Sequence, residues 1–304
     1  MFASTKVLLE KARKRRYAVG AFNVNNMEIV QGVVKAASST KSPVILATSE
    51  GALKYAGMDF LYNLAETAAQ TTKVPIALHL DHGKDFSIIR KAIRKGYSSV
   101  MIDASLEPFE KNIKLTKKVV QLAHRHHVAV EAELGTIGGA EDLVSARRIL
   151  YADPLQAEEF VQRTGCDFLA VAIGTSHGAY KFSGKPHLRI DVVRDIAKRT
   201  KIPLVLHGAS GVPQSLVIQA ERYGAKLSGV HGVPSAAIRA AITAGISKIN
   251  TDTDLRIAFD AAVRKVVATS PQDIDPRHLL APARDSIQKI TEQRITLFGS
   301  RGKA

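Results

Sequence analysis

Three histidines stand in strings that run directly into glycine: His82 in Leu-Asp-His-Gly, His177 in Thr-Ser-His-Gly and His207 in Leu-His-Gly-Ala-Ser-Gly. Neutral imidazole is the commonest zinc ligand, and three protein ligands with an open fourth position describe a catalytic metal site rather than a structural one. Glycine after each histidine lets backbone approach whatever the imidazoles hold. Asp81 adjoins a ligand without being needed to complete the set, which makes it a candidate proton-transfer group. Separations of 95 and 30 residues are too long for a local metal loop, so the fold must gather these positions.

The elements that could do so are short β-rich apolar runs at 17–24, 43–49, 75–81, 98–103, 128–133, 168–174, 203–207 and 246–250. Helical periodicity follows them, as at 86–95, 109–124 and 154–164. Asp153 before Pro154 is an N-cap followed by proline at the first helical position, and Gly165 closes the same helix. Pro43, Pro75 and Pro203 mark strand entrances, where a missing amide donor is tolerated. Near-continuous apolar strands alternating with helices predict a parallel sheet covered by helices. Eight such units favour a closed (β/α)8 TIM barrel, α/β in class, as a single domain over 1–304. No Gly-x-Gly-x-x-Gly turn follows the first strand, which argues against an open dinucleotide-binding sheet. Two stretches exceed what a barrel loop requires: 135–150, and an insertion at about 211–245. A helical segment at about 278–298 ends the chain.

Polar groups close all eight strands: Asn23, Ser49, Asp81 with His82, Asp103, Glu133, Thr175 to His177, His207 to Ser210, and Asn250 to Thr253. Asp103 and Glu133 could hold a second metal, orient the histidines through their other ring nitrogens, or serve as caps and salt bridges. Glu141 alone would be a solvated loop acid, and the length of its glycine-rich loop raises interest in it. Small residues and hydroxyls after the seventh and eighth strands suit a phosphate resting on backbone amides. No strand ends in lysine. Lys248 shares a face with Asn250 by alternation and is the one residue that could support Schiff-base chemistry.

The bulk properties narrow the class. With 304 residues, 45% of them hydrophobic, the chain can bury a sizeable core. Cys166 is the only cysteine, which rules out a disulfide framework or a cysteine-ligated zinc within one chain. No run approaches the roughly 18 apolar residues of a membrane span, and residues 1–16 lack an apolar signal core, so a cytoplasmic protein is expected. The net charge of +15 could steer anionic partners such as sugar phosphates or nucleic acid. The basic residues are scattered apart from 11–16, without aromatic interleaving, so that cluster reads as a solvated helix face and nucleic acid is not the expected partner.

The whole chain resembles the class II, zinc-dependent fructose-1,6-bisphosphate aldolases. The resemblance is carried, in order, by Phe22-Asn-Val-Asn-Asn26, Leu80-Asp-His-Gly83, Val100-Met-Ile-Asp103, Glu131-Ala-Glu-Leu-Gly135, Gly174-Thr-Ser-His-Gly178, Leu206-His-Gly-Ala-Ser-Gly211 and Ile249-Asn-Thr-Asp-Thr-Asp254. It implies zinc on His82, His177 and His207, with Asp103 and Glu133 near an outer position for a second divalent cation. It implies that Asp81 moves the proton of the substrate C4 hydroxyl and that Glu141 exchanges the C3 proton of dihydroxyacetone phosphate. Gly178, Gly208, Ser210, Asp252 and Thr253 match positions that bind the triose phosphate, beside which the family commonly holds Na+ or K+. Asn23, Ser49 and Asn250 complete the expected substrate contacts. Lys181, Arg256, Asp275 and Arg277 resemble positions near the far phosphate, with Arg256 expected from a neighbouring subunit of a homo-oligomer, dimer or tetramer. Tagatose 1,6-bisphosphate, differing at C4, is the rival substrate. An inactive basic protein that binds sugar phosphate or nucleic acid is the rival of another class.

Overall fold

A computed structural model describes residues 2–141, 144–146, 150–177, 188–227 and 229–304. Its strands are β1 (Val19–Asn23), β2 (Val44–Ser49), β3 (Ile76–Gly83), β4 (Ser99–Ile102), β5 (Ala129–Leu134), β6 (Gly138–Glu141), β7 (Val144–Ala146), β8 (Phe168–Val171), β9 (Ser176–His177), β10 (Leu204–Leu206) and β11 (Ile246–Thr251). Eight of them close a barrel in the order β1-β11-β10-β8-β5-β4-β3-β2, and the pairings between them are parallel. Helices follow the strands as alternation predicts. Phe86–Lys95, Phe109–His124 and Pro154–Thr164 occupy the expected spans. Asp153 caps the last of these, accepting from the amides of Leu155 and Gln156 at 3.0 and 2.9 Å, and Gly165 ends it in the left-handed region.

Most strands are shorter than their apolar runs. β8 stops at Val171 rather than 174: the Ala172 and Ile173 carbonyls accept from the Ala152 and Arg189 amides instead of a barrel neighbour, and Gly174 beyond them takes φ 108°. β3 instead runs two residues beyond Asp81, through a register shift against β4 between Leu80 and Gly83. The described residues of the long segment after β5 include two strands: β6 pairs antiparallel with β7 and parallel with β9, a small sheet beside the barrel. Residues 211–245 carry the helices Gln214–Arg222 and Ser235–Ala244, and the terminal helix covers Pro276–Phe298. Among the described residues, no helix is long and apolar enough to cross a membrane.

Period-two alternation divides each barrel strand between two environments. Outward side chains such as Leu78, Leu80, Val130, Ala132 and Ile249 join the helix faces in the larger core. Inward residues at the strand entrances form a second apolar cluster: Val19, Ala21, Ile45, Ala77, Ala129, Phe168, Ala170 and Val205. The first helix, Thr5–Arg15, closes that end with Leu8, Leu9 and Ala12 and leaves Lys14 and Arg15 outside. One layer higher come His79, Ser99, Glu131 and Lys248, all buried, and above them the strand-end groups. The interior thus passes from hydrocarbon to ion pairs to open chemistry along the strands. This places the reactive groups at the C-terminal face, where barrels of this type carry their sites.

Candidate metal centre and active site

A regular strand would send Asp81 and His82 to opposite faces. The bulge in β3 prevents this: His82 adopts φ 48°, a left-handed conformation unusual for a non-glycine residue. Ligand atoms of Asp81, His82 and His207 consequently lie within 4.8 Å of one another, as do those of His82, Asp103 and Glu133. Strain at this one residue lets two adjacent side chains serve one site. Gly83, next along, has no room for a Cβ, which would meet the Met101 carbonyl oxygen at 2.5 Å.

The two described imidazoles converge. His82 Nδ1 is 3.0 Å from Asp103 Oδ2, His207 Nε2 is 2.6 Å from Glu131 Oε1, and the remaining nitrogens, His82 Nε2 and His207 Nδ1, are 2.9 Å apart. Each carboxylate accepts a ring N–H, so both inner nitrogens would present lone pairs to the same point. Such a pair requires a proton or a cation between them, and histidine held by carboxylate is the usual outer arrangement of a metal ligand. The donor set therefore fits a zinc-type cation. Burial pushes His82 down, but Asp81 and Asp103 outweigh it and raise the group to about 10, while burial holds His207 below its usual value.

Asp81 is fixed through both oxygens, Oδ1 by Asn250 Nδ2 at 2.8 Å and Oδ2 by Asn23 Nδ2 at 2.9 Å. Burial would raise this carboxyl, yet His82 and His207 beside it drive it far below the carboxylate range, so it stays ionised. Glu133 behaves oppositely. Burial and the neighbouring Asp103 charge push it well above its ordinary value, and its buried Oε2 has no hydrogen-bond partner. A second cation beside Asp103 and Glu133 would neutralise that repulsion.

Four of the expected substrate residues, Asn23, Ser49, Asp252 and Arg256, line one cleft of about 290 Å³ with Tyr55. Ser49 also caps the helix Glu50–Ala56, and Arg256 pairs with Asp252 one turn away at 2.7 Å. Gly208 takes φ 60° with the Ser176 carbonyl against it: a Cβ would come within 2.7 Å. That close approach sets the backbone just before His177 beside the loop after His207. Ser210 and Thr253 are buried, and Thr253 opens the 17-residue helix Thr253–Thr269. Asp275 caps the terminal helix and holds Arg277 through a two-pronged pair, closest at 2.6 Å. Gly178 and Lys181 lie outside the described residues. So do the side chains of His177 and Glu141, whose backbones stand in β9 and β6, with Gly139 paired to His177.

Glu131, which the sequence offers only within the motif Glu131-Ala-Glu-Leu-Gly135, is the hub beneath the site. It contacts His207, Lys248 Nζ at 2.8 Å and His79 Nε2 at 3.5 Å. The signal was available: Glu131 lies two residues before Glu133, His79 two before Asp81 and Lys248 two before Asn250, so alternation puts all three on the inner face. Lys248 is locked in an ion pair with no solvent exposure, which removes it as a Schiff-base nucleophile. Asp254, which its motif alone does not mark as functional, anchors the phosphate-type loop by accepting from the amides of Gly211 and Val212, at 3.2 and 2.7 Å.

A closed (β/α)8 barrel with paired imidazoles and carboxylates at its C-terminal mouth defines a metal-dependent barrel enzyme. The family model described as "Fructose-bisphosphate aldolase class-II" matches residues 3–303. The fructose-bisphosphate aldolase of Thermus caldophilus is 49% identical over 299 residues, 98% of each chain. That of Giardia intestinalis is 49% identical over 300 residues, 98% of this chain and 93% of the other. Among solved structures, the YdjI aldolase from Escherichia coli K12 superposes with a TM-score of 0.81 at 36% identity, covering 100% of both chains. The chain belongs to the class II fructose-bisphosphate aldolase family, whose members are metal-dependent lyases.

Proposed function

We propose that this enzyme reversibly cleaves fructose 1,6-bisphosphate to dihydroxyacetone phosphate and glyceraldehyde 3-phosphate, in cytoplasmic glycolysis and gluconeogenesis. The observation that carries the reading is the convergence of His82 and His207 beside an ionised, doubly held Asp81. His82, His177 and His207 would hold Zn2+, which supplies a Lewis acid for the oxygens of the ketose half as negative charge develops there. Asp81 takes the proton of the C4 hydroxyl as the C3–C4 bond breaks, and returns it to the aldehyde oxygen in condensation. Both its oxygens are held by amides, so its approach to that hydroxyl is fixed before substrate arrives. Glu141 exchanges the C3 proton of dihydroxyacetone phosphate. Asp103 orients His82, and Asp103 and Glu133 together offer a place for a second divalent cation.

Gly208, Ser210, Asp252 and Thr253, with Gly178, receive the triose phosphate at the start of the helix Thr253–Thr269, where backbone N–H groups favour an anion and Na+ or K+ can share the charge. Asn23, Ser49 and Asn250 position the carbon chain. Lys181, Arg256, Asp275 and Arg277 address the far phosphate, Arg256 by exchange between subunits of a dimer or tetramer. The test is a coupled cleavage assay before chelation, after chelation and after zinc is restored. Activity should vanish and return. Faster turnover of tagatose 1,6-bisphosphate would reassign the substrate, and zinc-replete protein that turns over neither sugar would remove the aldolase reading altogether.

A further inference from the structure

Lys248 is an ammonium with no solvent exposure in the layer directly beneath the candidate metal centre. An apolar side chain of similar length would fill the same space without the cost of burying charge, so the use of the charge lies in its contacts. Nζ lies 2.8 Å from Glu131 Oε2 and 2.8 Å from Asn250 Oδ1. An ammonium only donates, so both partners must turn an oxygen toward it. For Asn250 this leaves Nδ2 to donate to Asp81 Oδ1 at 2.8 Å; the flipped amide would set oxygen against the Asp81 carboxylate. For Glu131 it leaves Oε1 to accept from His207 Nε2 at 2.6 Å, which fixes the proton on that nitrogen and turns Nδ1 toward His82.

We propose that Lys248 is a positioning residue that sets two groups at once: the tautomer of the metal ligand His207, through Glu131, and the proton-transfer carboxylate Asp81, through Asn250. The inference rests on the metal-dependent reading above. Its role is to impose the donor and acceptor sense of both arms, so that ligand and base are aligned by one charge on β11.

Lys248→Met alone would leave Glu131 buried without its counter-charge and endanger folding, so the decisive protein is Lys248→Met/Glu131→Gln, in which the hub is neutral. Circular dichroism checks that it folds. Zinc affinity is read by competition with a chromophoric chelator, the ligand field by the visible spectrum of the cobalt-substituted protein, and turnover by kcat and KM. The expected result is a folded protein with zinc affinity and kcat each lowered by about 10–100-fold, a shifted cobalt spectrum and a KM changed little. In an Asn250→Ala background the same pair should reduce kcat far less than it does alone. A folded double variant with parental zinc affinity, cobalt spectrum and kcat overturns the inference, as do kcat losses that multiply fully with Asn250→Ala. Parental protein that binds no zinc would instead overturn the reading on which it rests.

Discussion

Among the described buried carboxylates, Asp81 is exceptional because both of its oxygens are held by neutral amides while two imidazoles face it. Amide donors fix direction without supplying a counter-ion, so the charge remains available to a substrate proton. Asp81→Asn keeps the size and loses the acceptor. We expect kcat to fall by about 10²–10⁴-fold with zinc content unchanged, read by steady-state kinetics beside metal analysis. A loss of zinc in step with activity would instead make Asp81 a ligand. His207→Ala should behave in that second manner, with metal content and turnover falling together, because Glu131 and Asp103 then orient only one of the described nitrogens.

At the scale of elements, the site depends on two irregularities: the bulge at His82 in β3 and the tight passage of Gly208 past Ser176. Gly208→Ala combines a strained φ of 60° with a Cβ 2.7 Å from a carbonyl oxygen, whereas Gly302 has φ 70° and nothing within 4 Å. Gly302→Ala should therefore cost only left-handed strain, about 1–2 kcal/mol, with zinc affinity intact. Gly208→Ala should lose zinc affinity as well as stability, measured by thermal melts and chelator competition; equal zinc affinity in the two variants would show that this loop does not position the site. The barrel itself was legible in the sequence because strand entrances, caps and apolar runs agree at every level, as at Asp153, Pro154 and Gly165. His82, Asp81 and His207 were legible by type and place. The bulge was not, since no residue in Leu80-Asp-His-Gly83 compels a left-handed histidine; pairing with β4 does. The inward face of Glu131 and Lys248 was legible by alternation, but their pairing with each other was not. Charged residues inside a strand look misplaced until the barrel closes and brings β5 and β11 to opposite ends of one ion pair.

For the molecule as a whole, the same enclosure that protects the ion pairs also isolates Cys166, which burial pushes up to about 12. The folded chain thus holds this proton at a pH where the unfolded thiol, near 9, has released it. When the native state binds the extra proton, stability declines as pH rises. The loss should begin as pH passes the unfolded value near 9 and continue toward the folded value. Cys166→Ala removes this linkage while leaving the ion pairs of the interior in place. Between pH 9 and 11 the melting temperature of the parent should therefore fall more steeply than that of Cys166→Ala, although the variant starts lower for want of the sulfur's packing against the core cluster it belongs to. Parallel slopes would mean that the thiol reaches solvent in the folded state. A thiol-reactive chromophore supplies the independent check: slow labelling of the native protein at pH 8, made fast by denaturant, is the behaviour of a thiol that only unfolding exposes.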